Sequence, residues 1–576
     1  MGSILELRDL RVGFGPVEAV RGVSLQLGRG QRLGLVGESG SGKSVTALSV
    51  MRLVRGGTTS GEILLDGEDV LTMSRRKLES IRGGRVAMVY QDPMSSLNPV
   101  FTIGRQLTET LLLHTETNRS AARSRAAELL AEVGVSKPNE RLDSYPHEFS
   151  GGMRQRVMIA MALCGEPEVL IADEPTTALD VTTQAKIIDL LDRIVVERGT
   201  AVMLITHDLG VAAGFCDDIM VMRHGEIVEQ APAETLYAQP QHAYTKGLLG
   251  AVVDLTIDVT KPIPTLTAAE AAVDADVPAP VVAPPARPAA HLASGTPIDE
   301  ARDEVLVRVD GAVKTFALGH ERITAVDDVS FAIRRGETFG LVGESGSGKS
   351  TVSRCVLGLN PLDAGRVRFD GVDLAEQSGS QLRQLRRRMQ MVFQDPFAAL
   401  NRRHNVERLV SAPLLAHGIG DRAERAHRVD TILNLVGLGP QFRKRLPREM
   451  SGGQCQRVAI ARALVLEPDF VVLDESVSAL DVSIQAQVLN LLRDLQAELG
   501  LTYLFVSHDL SVVRYMCSEI AVMKSGAIVE QASREELFAD PRDEYTRALL
   551  SAVPTADPVA EKARRRGAVA TEAVHG

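Results

Sequence analysis

Leu35-Val36-Gly37-Glu38-Ser39-Gly40-Ser41-Gly42-Lys43-Ser44 is written twice in this chain, the second time as Leu341-Val342-Gly343-Glu344-Ser345-Gly346-Ser347-Gly348-Lys349-Ser350. The first copy follows an apolar run, Gln31 to Val36, and leads into a helical pattern, Val45-Thr46-Ala47-Leu48. Glycines between a buried strand and a helix let backbone N–H groups turn toward an anion, and the helix N-terminus adds its positive end. With Lys and Ser closing the motif, the stretch reads as a phosphate-binding loop. Lys43 and Lys349 reach the terminal phosphates, and the Ser44 and Ser350 hydroxyls ligate Mg²⁺. Gly37, Ser39, Gly40, Gly42 and Val45 complete the first predicted cradle; Gly343, Ser345, Gly346, Gly348 and Thr351 complete the second. A single match to this pattern is weak evidence, but two with the same downstream partners are strong.

Those partners recur in order. Tyr90-Gln91-Asp92-Pro93 matches Phe393-Gln394-Asp395-Pro396, and Ser150-Gly151-Gly152 matches Ser451-Gly452-Gly453. Asp173-Glu174 matches Asp474-Glu475, and Thr206-His207-Asp208-Leu209 matches Ser507-His508-Asp509-Leu510. Leu35 and Leu341 are 306 residues apart and His207 and His508 are 301 apart, so the halves differ by small loop changes. A period this long means duplicated domains, not a solenoid. The expected division is a first domain over 1–254, a linker over 255–304, a second domain over 305–554 and a flexible tail over 555–576. The linker is expected to be semi-extended because it is rich in Ala, Pro and Val, with Pro278, Pro280, Pro284, Pro285 and Pro288. Within each half, apolar strands such as Glu168 to Ala172 and Val202 to Ile205 alternate with helical patterns, which predicts an α/β domain around a parallel sheet. The stretches 93–165 and 396–466 lack strand signals and are predicted to be helical subdomains.

Val169-Leu170-Ile171-Ala172-Asp173-Glu174 is a buried strand ending in two acids, which apolar strands rarely carry without a cation or a catalytic task. Asp173 and Asp474 are assigned to the metal shell, and Glu174 and Glu475 to polarising an attacking water. A helix cap accounts for one such Asp, not for two matched Asp-Glu pairs. Ser150-Gly151-Gly152-Met153 and Ser451-Gly452-Gly453-Gln454 each open a helical run and make a second anion site per half. The net charge of −10 gives no pull toward nucleic acid. Five cysteines are scattered singly, without metal-ligand spacing. The N-terminus lacks a signal-peptide pattern, and no apolar run reaches the roughly 18–20 residues of a membrane helix. The chain is expected at the cytoplasmic face of a membrane, held there by partners.

Over nearly its whole length the chain resembles the ABC ATPase family. The resemblance implies two P-loop domains of ABC type, each with a parallel-sheet core, a helical subdomain and an N-terminal antiparallel β subdomain. It implies that Ser451 closes over ATP held by Lys43, and Ser150 over ATP held by Lys349, so that both sites form within one chain. Gln91 and Gln394 resemble the loop glutamines that touch Mg²⁺ and the membrane subunits. Asp180 and Asp481 resemble the aspartates that cross the dimer, and His207 and His508 the switch histidines of the γ-phosphate. Phe14 and Phe316 take the place of an adenine-stacking aromatic, with core packing the competing reading. Met153 departs from the family's signature glutamine, which Gln454 keeps.

Phe149-Ser150-Gly151-Gly152-Met153-Arg154-Gln155-Arg156 and Leu480-Asp481-Val482-Ser483-Ile484-Gln485 resemble the two ATPases of oligopeptide and dipeptide importers. Pro240-Gln241-His242-Ala243-Tyr244-Thr245 and Pro541-Arg542-Asp543-Glu544-Tyr545-Thr546 resemble the segment that ends each domain in this subfamily. The implied partners are two transmembrane permease subunits, gripped by residues 94–101 and 397–405, and an extracytoplasmic substrate-binding protein. The implied cargo is a peptide; nickel, glutathione or opines are alternatives. Some relatives carry an iron–sulfur segment, but here no cysteine falls between Cys216 and Cys355 or after Cys517, so no iron–sulfur cluster is expected. Double ABC ATPases that act on ribosomes form the competing class, with charged helical linkers unlike the Pro/Ala-rich one here.

Overall fold

A computed structural model describes residues 2–92, 96–177, 179–265, 304–318, 321–478 and 480–565. Contacts divide the chain into two units, one of residues 1–252 with 554–576 and one of residues 253–553.

In the first unit, Ser3–Phe14 (β1) buries Ile4, Leu7, Leu10 and Val12. It pairs antiparallel with Val17–Gly28 (β2) and with Thr58–Leu65 (β4), and Glu68–Asp69 (β5) completes the sheet. The second sheet has the order β10-β9-β3-β8-β7-β6. Its strands are Arg32–Val36 (β3), Val86–Val89 (β6), Val169–Asp173 (β7), Ala201–Thr206 (β8), Asp218–Arg223 (β9) and Glu226–Pro232 (β10). All neighbours run parallel except β9 and β10. The central strands are buried from end to end, which is why they read as unbroken apolar runs without alternation. One apolar cluster joins both sheets: Leu7, Val12 and Ile63 from the antiparallel side meet Leu35, Ile171 and Ile205 from the parallel side.

The second unit repeats the design with orders β12-β11-β14-β15 and β16-β17-β18-β13-β19-β20. Its antiparallel strands are Val305–Leu318 (β11), Glu321–Arg334 (β12), Ala364–Phe369 (β14) and Val372–Asp373 (β15). Thr338–Val342 (β13), Met389–Val392 (β16), Phe470–Asp474 (β17), Thr502–Ser507 (β18), Glu519–Lys524 (β19) and Ala527–Ser533 (β20) form the other sheet.

Ten helices matter for function. In the first half they are Lys43–Val50 (α1), Gly151–Leu163 (α2), Val181–Arg198 (α3), Leu209–Phe215 (α4) and Ala243–Gly250 (α5). Their counterparts are Lys349–Val356 (α6), Gly452–Leu464 (α7), Val482–Leu499 (α8), Leu510–Met516 (α9) and Glu544–Ala552 (α10). The expected helical subdomains are present, as Ile103–His114 and Arg119–Glu132 before α2, and as Val406–Ala416 and Arg422–Leu435 before α7.

Two expectations about the connecting segments need correction. Residues 255–265 do not begin a free linker: Ile263 is buried against the second unit, its N–H donating to Asn490. Residues 555–565 are not a loose tail, for 558–565 are helical and Glu561 is buried in the first unit. Composition misled here because docking rests on a few residues spread through Pro/Ala-rich sequence. The linker prolines from Pro278 to Pro288 and residues 566–576 lie outside the described residues.

Ile205 sits in the middle of this core, with no exposed surface. Ile205→Ala should destabilise the first unit by ~2–5 kcal/mol. Denaturant unfolding that shifted by less than ~1 kcal/mol would show that this core is not closely packed there.

Candidate nucleotide site

Strand register gathers the chemistry. Val36 pairs with Thr206 and Asp173 with Ile205, so β3, β7 and β8 end at one edge and release the glycine loop, the acid pair and the histidine side by side. Val342 with Ser507 and Asp474 with Val506 repeat this in the second half. The carboxyl end of a parallel sheet is where such folds bind ligands.

Gly37 begins the loop at φ 146, where a Cβ would fall 2.2 Å from the Met222 carbonyl oxygen; at Gly343, φ 148, it would fall 2.1 Å from that of Met523. Only glycine lets the loop pass so close beneath β9 and β19. Lys43 Nζ donates to the carbonyl oxygens of Gly37 at 2.7 Å and Glu38 at 2.9 Å. Lys349 does the same to Gly343 and Glu344 at 2.8 and 2.7 Å. Each ammonium is therefore buried under its own loop and set where phosphate oxygens would meet the loop's N–H groups. Ser44 Oγ donates to Asp173 Oδ1, and Ser350 Oγ to Asp474 Oδ1, both at 3.1 Å. Burial pushes the Asp173 carboxyl up to about 6 and also raises that of Asp474.

The glutamates sit differently. Glu174 Oε2 accepts from Gln91 Nε2 at 2.7 Å and from the Thr177 hydroxyl at 2.9 Å, while Oε1 lies 3.4 Å from His207 Nδ1. Glu475 is likewise met by Gln394 Nε2 at 2.6 Å and by His508 Nδ1 at 3.5 Å. Burial favours the neutral acid, but the histidine's hydrogen bond and charge, with the Thr177 hydroxyl, outweigh it and hold Glu174 down at about 2. Glu475 is lowered by the same contest. Glu174 at φ 47 and Glu475 at φ 46 occupy the left-handed region, a strain that sequence does not announce. The loop glutamines expected on the metal donate here to the glutamates.

A second set of predicted residues gathers at the start of α2 and α3. Ser150 caps α2 by accepting from the Met153 N–H, and Asp180 caps α3 by accepting from the Thr183 N–H at 2.9 Å. Gly152 is needed because a Cβ there would fall 2.4 Å from Thr183 Cγ2; Gly453 faces Ile484 in the same way. Ser451 and Gln454 form a reciprocal capping box at α7, which Met153 cannot reproduce at α2. Asp481 opens α8 without the corresponding cap bond. Ser150 and Ser451 are both exposed. Phe14 is half-buried against the core, whereas Phe316 is 43% exposed with Lys314 Nζ 5.6 Å from its ring centroid.

One pair of site residues escaped the motif reading. The Glu38 N–H donates to Tyr244 Oη at 3.3 Å, and the Glu344 N–H to Tyr545 Oη at 3.1 Å. These tyrosines open the last helix of each half, α5 and α10, and tie it to the phosphate loop. Their repetition in His242-Ala243-Tyr244-Thr245 and Asp543-Glu544-Tyr545-Thr546 was the available signal.

The profile described as "ABC transporter" matches residues 20–177 and 326–478, one match per half. The chain belongs to the ABC transporter ATPase family. A second profile, "Oligopeptide/dipeptide transporter, C-terminal region", matches residues 228–275 and 529–575. Among curated ABC ATPases, "Glutathione import ATP-binding protein GsiA" of Pectobacterium atrosepticum is 45% identical, covering 96% of this chain and 90% of its own. "Peptidoglycan transport ATP-binding protein YejF" of Agrobacterium fabrum is 44% identical over 97% and 98%. "Oligopeptide transport ATP-binding protein OppD" of Mycobacterium tuberculosis is 42% identical over 97% and 99%. A solved structure of cbiO1 from Clostridium perfringens, described as part of the ABC transporter complex cbiONQ, is 30% identical over 41% of this chain and 92% of that one, with a TM-score of 0.38.

Two outcomes test this geometry. Burial works against a charged His508, yet the hydrogen bond and charge of Glu475 raise its pKa above the ordinary histidine value. Glu475→Gln removes the main raising influence and leaves burial and the Lys349 charge against that of Asp509, so the His508 titration followed by NMR should move to lower pH. Tyr244→Phe keeps the buried ring and deletes one hydrogen bond to the loop, worth ~1 kcal/mol, so ATP affinity at that site should fall ~5-fold. Unchanged nucleotide affinity in a direct binding assay would remove the tyrosine from the site.

Proposed function

We propose that this ABC ATPase energises the import of oligopeptides or dipeptides, working at the cytoplasmic face of the membrane beneath two permease subunits that receive solute from an extracytoplasmic binding protein. The observation that carries the reading is the double match of the oligopeptide/dipeptide C-terminal profile, once after each cassette. Glutathione, itself a small peptide, is the second reading, favoured by the 45% identity to GsiA. No described helix is long and apolar enough to cross a membrane, which fits a subunit that acts through permeases. Tyr90 and Phe393, next to the loop glutamines in sequence, and Val100, within the 94–101 stretch, are exposed apolar side chains suited to holding permease helices. Met94 and Ser95 of the proposed grip lie outside the described residues.

ATP is the substrate of both cassettes. Lys43 and Lys349 neutralise its terminal phosphates, and Phe316 offers an exposed ring for the base. Ser44 with Asp173, and Ser350 with Asp474, pair a hydroxyl with a buried carboxylate, hard oxygen donors that fit Mg²⁺. When bound, that ion neutralises charge building on the phosphoryl oxygens. Glu174, ionised and held by the Gln91, Thr177 and His207 donors, polarises water without taking its proton outright. His207 and His508 orient the glutamates and stand ready for the γ-phosphate. We assign Ser150 and Ser451, with their exposed helix N-termini, to the nucleotide of the opposite half, with Asp180 and Asp481 aligned between the halves.

Glu174→Gln together with Glu475→Gln should keep ATP binding but lower turnover at least ~100-fold. Persistent hydrolysis would remove those roles. In reconstituted vesicles with its permeases and binding protein, the same variant should stop accumulation of labelled tripeptide. Solute uptake that is specific for a non-peptide would redirect the cargo assignment while leaving the ATPase chemistry intact.

A further inference from the structure

The two acid pairs are followed by different residues. Asp173-Glu174-Pro175-Thr176-Thr177 in the first half stands against Asp474-Glu475-Ser476-Val477-Ser478 in the second, 301 residues further on. Both stretches leave their strands through the same turn. The Thr177 N–H donates to the Glu174 carbonyl at 3.2 Å and the Ser478 N–H to the Glu475 carbonyl at 3.3 Å, with the glutamates at φ 47 and φ 46. The backbone brings residues 177 and 478 back to their glutamates alike, and the difference lies in what each hydroxyl does.

Thr177 Oγ1 donates to Glu174 Oε2 at 2.9 Å, the oxygen that also accepts from Gln91 Nε2 at 2.7 Å. Glu174 Oε1 faces His207 Nδ1 at 3.4 Å, so both carboxylate oxygens are engaged and one of them twice. Ser478 Oγ donates instead to the main-chain carbonyl of Glu475, at 2.9 Å. Among the described residues, Glu475 Oε2 then has Gln394 Nε2 at 2.6 Å, and Oε1 has His508 Nδ1 at 3.5 Å. A hydroxyl in this turn has both acceptors in reach. Serine rotates freely and takes the local carbonyl, as short hydroxyl side chains do, whereas the branched Cβ of threonine must also house a methyl group and has a narrower choice of χ1.

The extra donor matters because of where it stands. Gln91 and Gln394 are exposed and lie 83 and 81 residues from the glutamates they meet. Thr177 is three residues from Glu174, in the same turn, so its bond needs no distant loop to be in place. A hydrogen bond to an ionised carboxylate is also stronger than one to a neutral carbonyl.

We propose that Thr177 is a positioning residue for ATP hydrolysis in the first half: its hydroxyl sets the direction of the Glu174 carboxylate, a task that no hydroxyl performs for Glu475. The two hydrolytic centres are therefore chemically unequal, the first with its glutamate aligned from within its own turn. The inference rests on the assignment of Glu174 and Glu475 to the attacking water.

The test follows phosphate release in a single turnover, started by adding Mg²⁺ to the full chain preloaded with ATP, with ATP affinity measured alongside. Thr177→Val keeps the branched shape and deletes the hydroxyl. At least half of the phosphate should then appear ~10-fold more slowly than from the wild type, the scale of one hydrogen bond to a charged group, while ATP affinity stays within ~2-fold. Ser478→Ala, which deletes the corresponding hydroxyl, should leave all of the release within ~2-fold of the wild-type rate. Wild-type release from Thr177→Val overturns the proposal. So does a loss of ATP affinity as large as the loss of rate, or an equal slowing by Ser478→Ala, since either makes the hydroxyl a support of the turn. Glu174→Gln with Glu475→Gln separates the two levels: wild-type release from that variant removes the water assignment itself, whereas its failure to release phosphate beside an unaltered Thr177→Val strikes Thr177 alone.

Discussion

The parallel register of β7, β8 and β3 is the constraint on which the rest depends. A strand buried on both faces fixes where its neighbours end, and here the common end is where loop, acids and histidine emerge. The glycine loop then has to pass beneath the Met222 carbonyl, which leaves no room for a side chain at Gly37. Lys43 folds under that loop, Ser44 comes into line with Asp173, and the neighbouring Glu174 is delivered to Gln91 and His207. Adjacent acids end with opposite electrostatics, Asp173 raised by burial and Glu174 lowered by its partners. That split suits one carboxylate to a cation and the other to a water.

The two halves preserve this arrangement closely but not identically. Hydrogen bonds around both phosphate loops agree within about 0.2 Å, from the lysine pairs to the tyrosine caps. Differences accumulate at the start of the signature helices, where Gln454 closes a capping box and Met153 does not. The catalytic edge is thus duplicated, down to the lysine, serine and glutamine–glutamate contacts.

Much of the site was legible in the sequence because its chemistry depends on residue type at fixed spacing. The loops, the acid pairs and the strands that deliver them came directly from apolar runs ending in Gly-rich or acidic stretches. The helical subdomains were recognisable by the absence of strand patterns. Three features were not legible. The glutamine contacts depend on side-chain direction, which spacing does not encode. Tyr244 looked like a family marker, because its hydrogen-bond partner is 206 residues away in sequence. Residues 255–265 and 555–565 looked like linker and tail, since a few well-placed contacts, not a periodic apolar face, hold them in position.

The left-handed backbone at Glu174 and Glu475 also limits how a cassette of this design can decay into a silent one. Asn, Asp and Gly tolerate that conformation, whereas Val, Ile and Thr resist it. A lineage that retires one of its two hydrolytic centres while keeping nucleotide binding therefore has few routes. Replacement by a short amide or acid leaves the scaffold intact, and a branched side chain brings down strand end and catalysis together.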